Sequence, residues 1–124
     1  MTTPCPCGSG KPFGACCGPC LAGNLPPTPE ALMRSRYTAY ALGDRDYLER
    51  TWHSSTRPAD LELEKGVKWL GLKVVNAQGG EQDEAGTVHF VARFKIGGRG
   101  HRLEETSRFV REDGRWVYLD GDVS

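Results

Sequence analysis

The spacing of hydrophobic and polar positions changes twice along this chain, and each change predicts a different kind of structure. The first twenty residues contain almost no aliphatic side chains. Farther along, apolar residues recur at helical spacing, with Met33, Tyr37, Tyr40 and Ala41 on one stripe. After Gly66 the pattern becomes the two-residue alternation that is typical of half-buried strands. The chain is therefore predicted to run from a segment without its own core, through helices, into a sheet.

Capping and turn signals bound the predicted helices. The first helix is predicted between an N-cap at Thr28 and a stop at Gly43. Asp44 can cap a second helix, which is predicted to end near Trp52. The segment that follows, residues 53–66, is ambiguous, and its second half is predicted as a short third helix.

The alternating part of the chain predicts an antiparallel meander. Asp-Gly at 113–114 is a strong signal for a two-residue hairpin turn. Helices followed by such a meander define an α+β fold, with the helices packed on one face of the sheet. A strongly twisted sheet of this kind can curl around the helices and leave a cavity. The predicted strands are Lys68–Asn76, Thr87–Ile96, His101–Glu112 and Arg115–Asp120.

Length and charge narrow the range of functions. The 124 residues are enough for one domain with a small appendage. Sixteen basic and sixteen acidic residues give a formal charge of zero, which argues against a mainly electrostatic nucleic-acid binder. No apolar run approaches the roughly 18 residues of a membrane span, and no secretory signal is visible. We therefore expect a cytoplasmic protein without a membrane partner, whose thiols stay reduced.

Four of the five cysteines stand in two tight pairs near the beginning of the chain, and they predict a metal site. In a reducing compartment such clustering favours a metal over disulfides. Soft thiolates in a closed four-ligand site favour zinc, with iron as the alternative. Lys11 is placed to offset the negative charge of the site, and Cys20 is a fifth thiol that four-coordination does not need. The predicted ligands are Cys5, Cys7, Cys16 and Cys17.

The cysteine segment CPCGSGKPFGACCG resembles the SEC-C motif, the small zinc-binding knuckle at the C-terminus of the protein-export ATPase SecA. In that motif the last ligand pair is Cys-His or Cys-Cys, and here it is Cys16-Cys17. The segments LMRSRYTAYA, DYLERTWH, FVARF, SRF and WVYLDG resemble the bacterial YchJ family.

The resemblance to the YchJ family covers almost all of the chain. It implies a nuclear-transport-factor-2-like (NTF2-like) fold for the larger part, in which a curved sheet wraps the helices into a cone. The organisation we expect is a metal-binding knuckle at 1–20, a linker at 21–29 and the NTF2-like domain at 30–124. The family resemblance does not supply an activity.

The cone implied by this resemblance has a pocket that serves enzymes and binding modules alike. His53, beside Trp52 at a helix end, is a weak candidate for an acid or base. Glu105 alternates with other inward-facing residues of its strand, so it is the second candidate. Simpler structural roles compete: a helix-end hydrogen bond for His53, and an ion pair with an arginine for Glu105. The predicted pocket residues are Trp52, His53, Glu105 and Arg108.

Two classes of function fit these features. The first is a cytoplasmic metal-binding adaptor whose knuckle docks a protein partner; resemblance to the SecA knuckle suggests an export chaperone or the ribosome. The second is a small enzyme or ligand carrier that uses the pocket. A hydrogen bond between His53 and Glu105 inside that pocket would favour an enzyme. In such folds an exposed sheet face often supports a dimer. By analogy, a homodimer is compatible with either class of function.

Overall fold

The computed structural model describes residues 3–61, 63 and 66–123. Helical segments come first and four strands follow, which confirms the predicted α+β class. A single 3₁₀ turn, Phe13–Ala15, precedes the first α-helix. The helices are α1 (Cys17–Leu21), α2 (Pro29–Leu42) and α3 (Arg45–Arg50), and the strands are β1 (Val67–Gln78), β2 (Ala85–Ile96), β3 (Arg99–Glu112) and β4 (Arg115–Val123).

The four strands form one antiparallel meander in the order β1-β2-β3-β4. The predicted hairpin turn is present, with Asp113 and Gly114 at φ of 54° and 80° between β3 and β4. Shifts of register interrupt the β1–β2 pairing between Trp69 and Gly71 and again between Val74 and Asn76. Such bulges bend a strand and increase its twist, so they help to curve the sheet around α2.

The caps of the two main helices are those that the sequence predicts. The Thr28 hydroxyl accepts a hydrogen bond from the Ala31 backbone N–H at 3.2 Å. Gly43 ends α2 in the left-handed conformation at φ of 76°. The Asp44 carboxylate then accepts from the Tyr47 N–H at 3.1 Å and begins α3.

Within the described residues, none of these helices has the length and apolar character needed to cross a bilayer.

Helix α3 ends at Arg50, two residues earlier than predicted, because the sheet captures the backbone beyond it. The Tyr118 N–H donates to the Thr51 carbonyl at 2.8 Å, and the His53 N–H donates to the Tyr118 carbonyl at 2.8 Å. These bonds form a parallel bridge between Trp52 and Tyr118. A backbone that pairs with a strand cannot also continue the helical ladder, so α3 stops there.

The predicted third helix is absent from 58–61, and Glu62, which it also spans, lies outside the described residues. Leu61 and Leu63 both pack against the cluster around α3, although they are only two residues apart. This spacing places two side chains on one face in an extended chain, not in a helix. Docking of these two leucines therefore favours an irregular segment.

Helix α2 is the centre of the fold and is buried on more than its predicted stripe. Met33 and Tyr37 face the sheet as expected, and the Tyr37 ring meets Trp69 edge-on at 5.5 Å. Ser35 and Thr38 are also fully buried. Helix α3 covers Ser35, and the cysteine segment covers Thr38, so α2 is packed on several sides.

The cysteine segment joins the main core. Cys5, Cys7 and Cys17 belong to the same buried cluster as Leu32 and Met33 of α2. The helical turns 13–15 and α1 are not predicted by the sequence, because glycine and proline are poor helix formers. The division into knuckle, linker and NTF2-like domain stays a prediction, and the structure adds the close packing between its first and last parts.

The chain between α1 and α2 is anchored rather than loose. Its residues 22–28 form no helix or strand, as expected for a linker. The Trp116 indole N–H donates to the Pro27 carbonyl at 3.1 Å, which fixes the segment to β4. Trp116 is itself only 1% exposed, so the anchor lies in the core.

Gly86→Ala is expected to destabilise the protein by about 1–3 kcal/mol, the usual cost of overpacking. A Cβ at Gly86 would lie 2.5 Å from the Pro29 ring and closer still to the Gln78 carbonyl oxygen. Urea unfolding measures the loss. Gly100→Ala is the matched control, because Gly100 also lies in a strand but has no atom within 4 Å of the added carbon. Equal stability of the two variants would contradict this packing.

Candidate functional site

Local hydrogen bonds fold the cysteine segment into a compact loop. The Cys5 N–H donates to the Lys11 carbonyl at 3.0 Å, and the Gly8 N–H donates to the Cys5 carbonyl at 3.2 Å. Gly8 and Gly10 both have positive φ, of 77° and 84°, which a residue with a side chain rarely adopts. These two glycines therefore turn the chain back, so that the second pair of cysteines meets the first.

The loop brings four cysteine sulfurs together. The Sγ atoms all lie within 4.8 Å of one another, with 3.6 Å between Cys7 and Cys16 and 4.0 Å between Cys16 and Cys17. A tetrahedron with metal–sulfur bonds of about 2.3 Å has sulfurs about 3.8 Å apart. The donor set and its spacing therefore fit a metal ion that prefers four thiolates. The cluster consists of Cys5, Cys7, Cys16 and Cys17.

Without a bound cation, the electrostatics of the cluster favour deprotonation of one cysteine and oppose deprotonation of the others. Hydrogen bonding from Cys17 lowers the pKa of Cys7 well below its usual value. The same interaction, together with burial, raises the pKa of Cys17, and burial raises that of Cys16. Because the sulfurs are close, each added negative charge opposes the next. Four thiolates therefore need the positive charge that a metal ion would supply.

Arg34 is the cation nearest the sulfurs in the described part of the chain, a role that the sequence assigns to Lys11. Its guanidinium donates to the Cys7 carbonyl at 3.0 Å and lies 4.0 Å from the Cys7 Sγ. Its Nε pairs with Glu30 at 3.1 Å, which holds it in place. Lys11 is exposed and borders a groove beside the cluster. Arg34 was missed because only the packing of α2 on the loop brings it there.

Cys20 lies outside the four-sulfur cluster. It packs against the second core cluster, which includes Tyr47 and Leu48 of α3. Burial is the main cause that raises the pKa of its thiol. This environment suits a neutral, space-filling thiol, in line with the prediction that four-coordination does not need it.

A second candidate site is a cavity of about 280 Å³ between α2 and the inner face of the sheet. We call it the cone pocket. It contains two of the four predicted pocket residues, Trp52 and Glu105, and its wall does not include the other two. The lining residues are Met33, Arg36, Tyr40, Trp52, Trp69, Phe90, Leu103, Glu105, Ser107 and Tyr118.

Arg108 and His53 lie elsewhere, which corrects their predicted place in the pocket. Arg108 follows the inward Ser107, so strand alternation turns it to the outer face, where it pairs with Asp120 at 2.5 Å. The His53 ring is 2.7 Å from the Ser55 hydroxyl and 3.5 Å from Glu112. No hydrogen bond joins His53 to Glu105 among the described residues.

Glu105 faces inward as predicted, but its expected ion pair is wrong. Its carboxylate accepts hydrogen bonds from the Ser107 hydroxyl at 2.5 Å and from the Tyr118 hydroxyl at 3.4 Å. No arginine forms an ion pair with it in the part of the chain that the structure describes. Two hydroxyls, one on β3 and one on β4, thus take the place of the expected cation.

Arg36 is the pocket residue that sequence reasoning missed as a site. It is only 4% exposed, and its guanidinium packs against the rings of both Trp52 and Tyr118, at 5.1 and 4.9 Å from their centroids. Its Nη1 donates to the Leu48 carbonyl at 3.0 Å and to the Thr51 hydroxyl at 2.7 Å. The sequence contains a signal for this position, because Arg36 stands three residues after Met33 and four before Tyr40. This spacing places it on the apolar stripe of α2.

A four-cysteine knuckle packed on a helix that a curved antiparallel sheet surrounds defines a SEC-C protein with an NTF2-like domain. The family model of the YchJ middle NTF2-like domain matches residues 28–121, and the SEC-C motif matches residues 1–19. The chain therefore belongs to the YchJ family, and the predicted NTF2-like fold is confirmed.

Relatives and solved structures agree with this assignment. The chain is 55% identical to a UPF0225 protein of Chromobacterium violaceum over 97% of this chain and 93% of the relative. It is 56% identical to a UPF0225 protein of Deinococcus radiodurans over 94% and 87%. A solution structure of a SEC-C motif containing protein from Rhodopseudomonas palustris has a TM-score of 0.87 at 38% identity, covering 98% of this chain and 99% of that one. A crystal structure of another from Psychrobacter arcticus has a TM-score of 0.81 at 26% identity, covering 98% and 83%.

Cys17→His is expected to keep a bound metal ion. The SEC-C pattern accepts His at this position, and an imidazole nitrogen binds zinc at about 2.0–2.1 Å. Elemental analysis of the purified variant measures the metal-to-protein ratio. Cys17→Ala is the control and should lose the metal; loss in both variants would mean that the site is not the knuckle it resembles.

Proposed function

We propose that this chain is a cytoplasmic zinc-binding adaptor whose knuckle docks a protein partner. The observation that carries the proposal is the closed set of four sulfurs at the spacing of a tetrahedron. Structural zinc sites use four protein ligands, whereas catalytic sites keep one position open for water or substrate. The metal would therefore fold the loop and present its surface rather than carry out chemistry. Iron is the alternative metal, because its preference for thiolates is similar.

The groove beside the knuckle is the docking surface we propose. It has a volume of about 660 Å³ and lies between the cysteine loop and the start of α2. Ser9, Lys11 and Ala15 form one wall, and Glu30 and Arg34 stand on the other. Arg34 is paired with Glu30, so Lys11 is the exposed cation of the groove, beside the negatively charged four-thiolate site whose Cys16 and Cys17 also line it. The Lys11 ammonium offers a contact to a carboxylate of a protein partner.

Among the partners that the SecA resemblance suggests, we propose an export chaperone before the ribosome. The chain has no net charge to draw it toward ribosomal RNA. The exposed groove with its single unpaired lysine instead suits a protein surface. The ribosome is the other outcome that the experiment distinguishes.

The test measures binding of the metal-loaded protein to a purified bacterial export chaperone and, separately, to purified ribosomes. Lys11→Glu is expected to weaken chaperone binding by roughly tenfold, about 1.4 kcal/mol. Lys73→Glu makes the same charge change on the exposed outer face of β1 and should have no effect. Metal content is measured for both variants, and each should retain it.

If the protein binds ribosomes and Lys11→Glu weakens that binding, the adaptor function stands and the partner is the ribosome. Binding to neither, or equal loss in the two lysine variants, would contradict docking through the knuckle.

A further inference from the structure

The cone pocket contains a buried guanidinium without an acidic partner among the described residues. Arg36 is 4% exposed, and its Nη1 is used by the Leu48 carbonyl and the Thr51 hydroxyl. Neither of these groups carries a charge. A buried charge is costly unless it is paired, so an unpaired arginine in a cavity is a place for an anion.

The rest of the pocket wall holds a further buried donor that has no acceptor among the described residues. Glu105 is the one carboxylate among the described residues of the wall, and the hydroxyls of Ser107 and Tyr118 both donate to its Oε2. The indole N–H of Trp52 is buried without an acceptor among the described residues. The hydrogen-bonding groups of the pocket therefore favour a ligand that brings acceptors.

The remaining lining is apolar and leaves room for more than an inorganic ion. Met33, Trp69, Phe90 and Leu103 are the apolar residues that complete the wall around the 280 Å³ space. A second cavity of about 310 Å³ shares Trp69 and Leu103 with it, together with Tyr40. Small-molecule sites typically combine such apolar walls with a few placed polar groups.

We propose that the cone pocket binds a small organic anion, with a carboxylate at Arg36 and an apolar ring against Trp69 and Leu103. Guanidinium and carboxylate match in shape and form paired, charge-assisted hydrogen bonds. The Arg36 guanidinium already packs against the rings of Trp52 and Tyr118, so little side-chain freedom is lost on binding. Burial lowers the pKa of Arg36, which is the direction that an added anion would reverse.

Benzoate is the probe, and the metal-loaded full chain is titrated with it by ¹H–¹⁵N NMR. Benzoate should shift the resonances of the pocket lining. Benzamide has the same ring without the charge, and inorganic phosphate has charge without a ring. Both should bind roughly 10- to 100-fold more weakly, the range expected for loss of a charged hydrogen bond.

Three pocket variants and one control variant assign the binding to the pocket. Arg36→Gln should weaken benzoate binding by the same 10- to 100-fold. Arg93→Gln is its control, because it removes an equal charge from an exposed position on the outer face. Glu105→Gln should strengthen binding, since it removes a negative charge from the wall. Leu103→Trp should abolish binding by filling the space.

Glu105→Gln and Leu103→Trp keep the proposal testable if Arg36→Gln fails to fold. Benzoate binding that neither of these two variants alters would overturn it. So would equal affinity for benzamide, or shifts confined to the outer face around Arg93. The adaptor proposal concerns the knuckle groove, so its outcome is independent of these measurements.

Discussion

Cys7→Ala is expected to abolish stoichiometric metal binding, whereas Cys20→Ser keeps it. Cys7 is fully buried, and its sulfur lies 3.6 Å from that of Cys16, at the centre of the cluster. Removal of one thiolate from a four-ligand site leaves three ligands and an opening to water, so affinity falls by orders of magnitude. Elemental analysis of the purified variants gives the metal-to-protein ratio.

Cys20→Ser is the matched control, because it removes a thiol of the same segment that lies outside the cluster. Its side chain packs against α3, so a small loss of thermal stability is expected without loss of metal. Metal loss in Cys20→Ser with retention in Cys7→Ala would mean that Cys20 is a ligand and Cys7 is not. That result would contradict the geometry described above.

Removal of the metal by a chelator is expected to disorder residues 3–20 and to leave the sheet folded. The cysteine loop has few apolar side chains other than Phe13 and the cysteines, so its order depends on the metal. Comparable zinc-finger peptides gain roughly 10–16 kcal/mol from zinc binding. The sheet and α2 have their own core, which includes Leu32, Phe109 and Trp116.

Hydrogen exchange with and without chelator measures this difference segment by segment. Protection should be lost in the loop, reduced where α2 touches it, and retained in β2 and β3. The reduction in α2 is expected because Thr38 and Arg34 contact the cysteines directly. Global loss of protection would contradict the prediction that the chain has two separable parts.

The elements with local signals were predictable from the sequence. The caps of α2 and α3 depend on residues next to the helix ends, and Asp113-Gly114 defines its own turn. The end of α3 was not predictable, because Trp52 leaves the helix to pair with Tyr118 of a strand that is distant in sequence. Local helix propensity does not indicate where pairing with a distant strand replaces the helical hydrogen bonds.

The candidate sites also divide into features with a local sequence signal and features that depend on packing. The four cysteines are close in sequence, and their spacing alone groups them. Arg34 and Arg36 acquire their roles through packing, one beside Cys7 and the other against two aromatic rings. The expected partner of Glu105 was an arginine, yet hydroxyls of β3 and β4 satisfy it, a detail of register that periodicity does not contain.

Helix α2 connects the two candidate sites. Arg34 and Thr38 contact the cysteine loop, and Met33 and Arg36 face the cone pocket. Both sites therefore depend on the position of a single helix. A partner at the knuckle and an anion in the pocket would each bind against a different face of it.

The most direct test of the metal site is X-ray absorption at the zinc edge on protein purified without added metal. We expect one zinc per chain with four sulfur neighbours at about 2.3 Å. A shell that contains oxygen or nitrogen, or protein that is folded and free of zinc and iron, would contradict it.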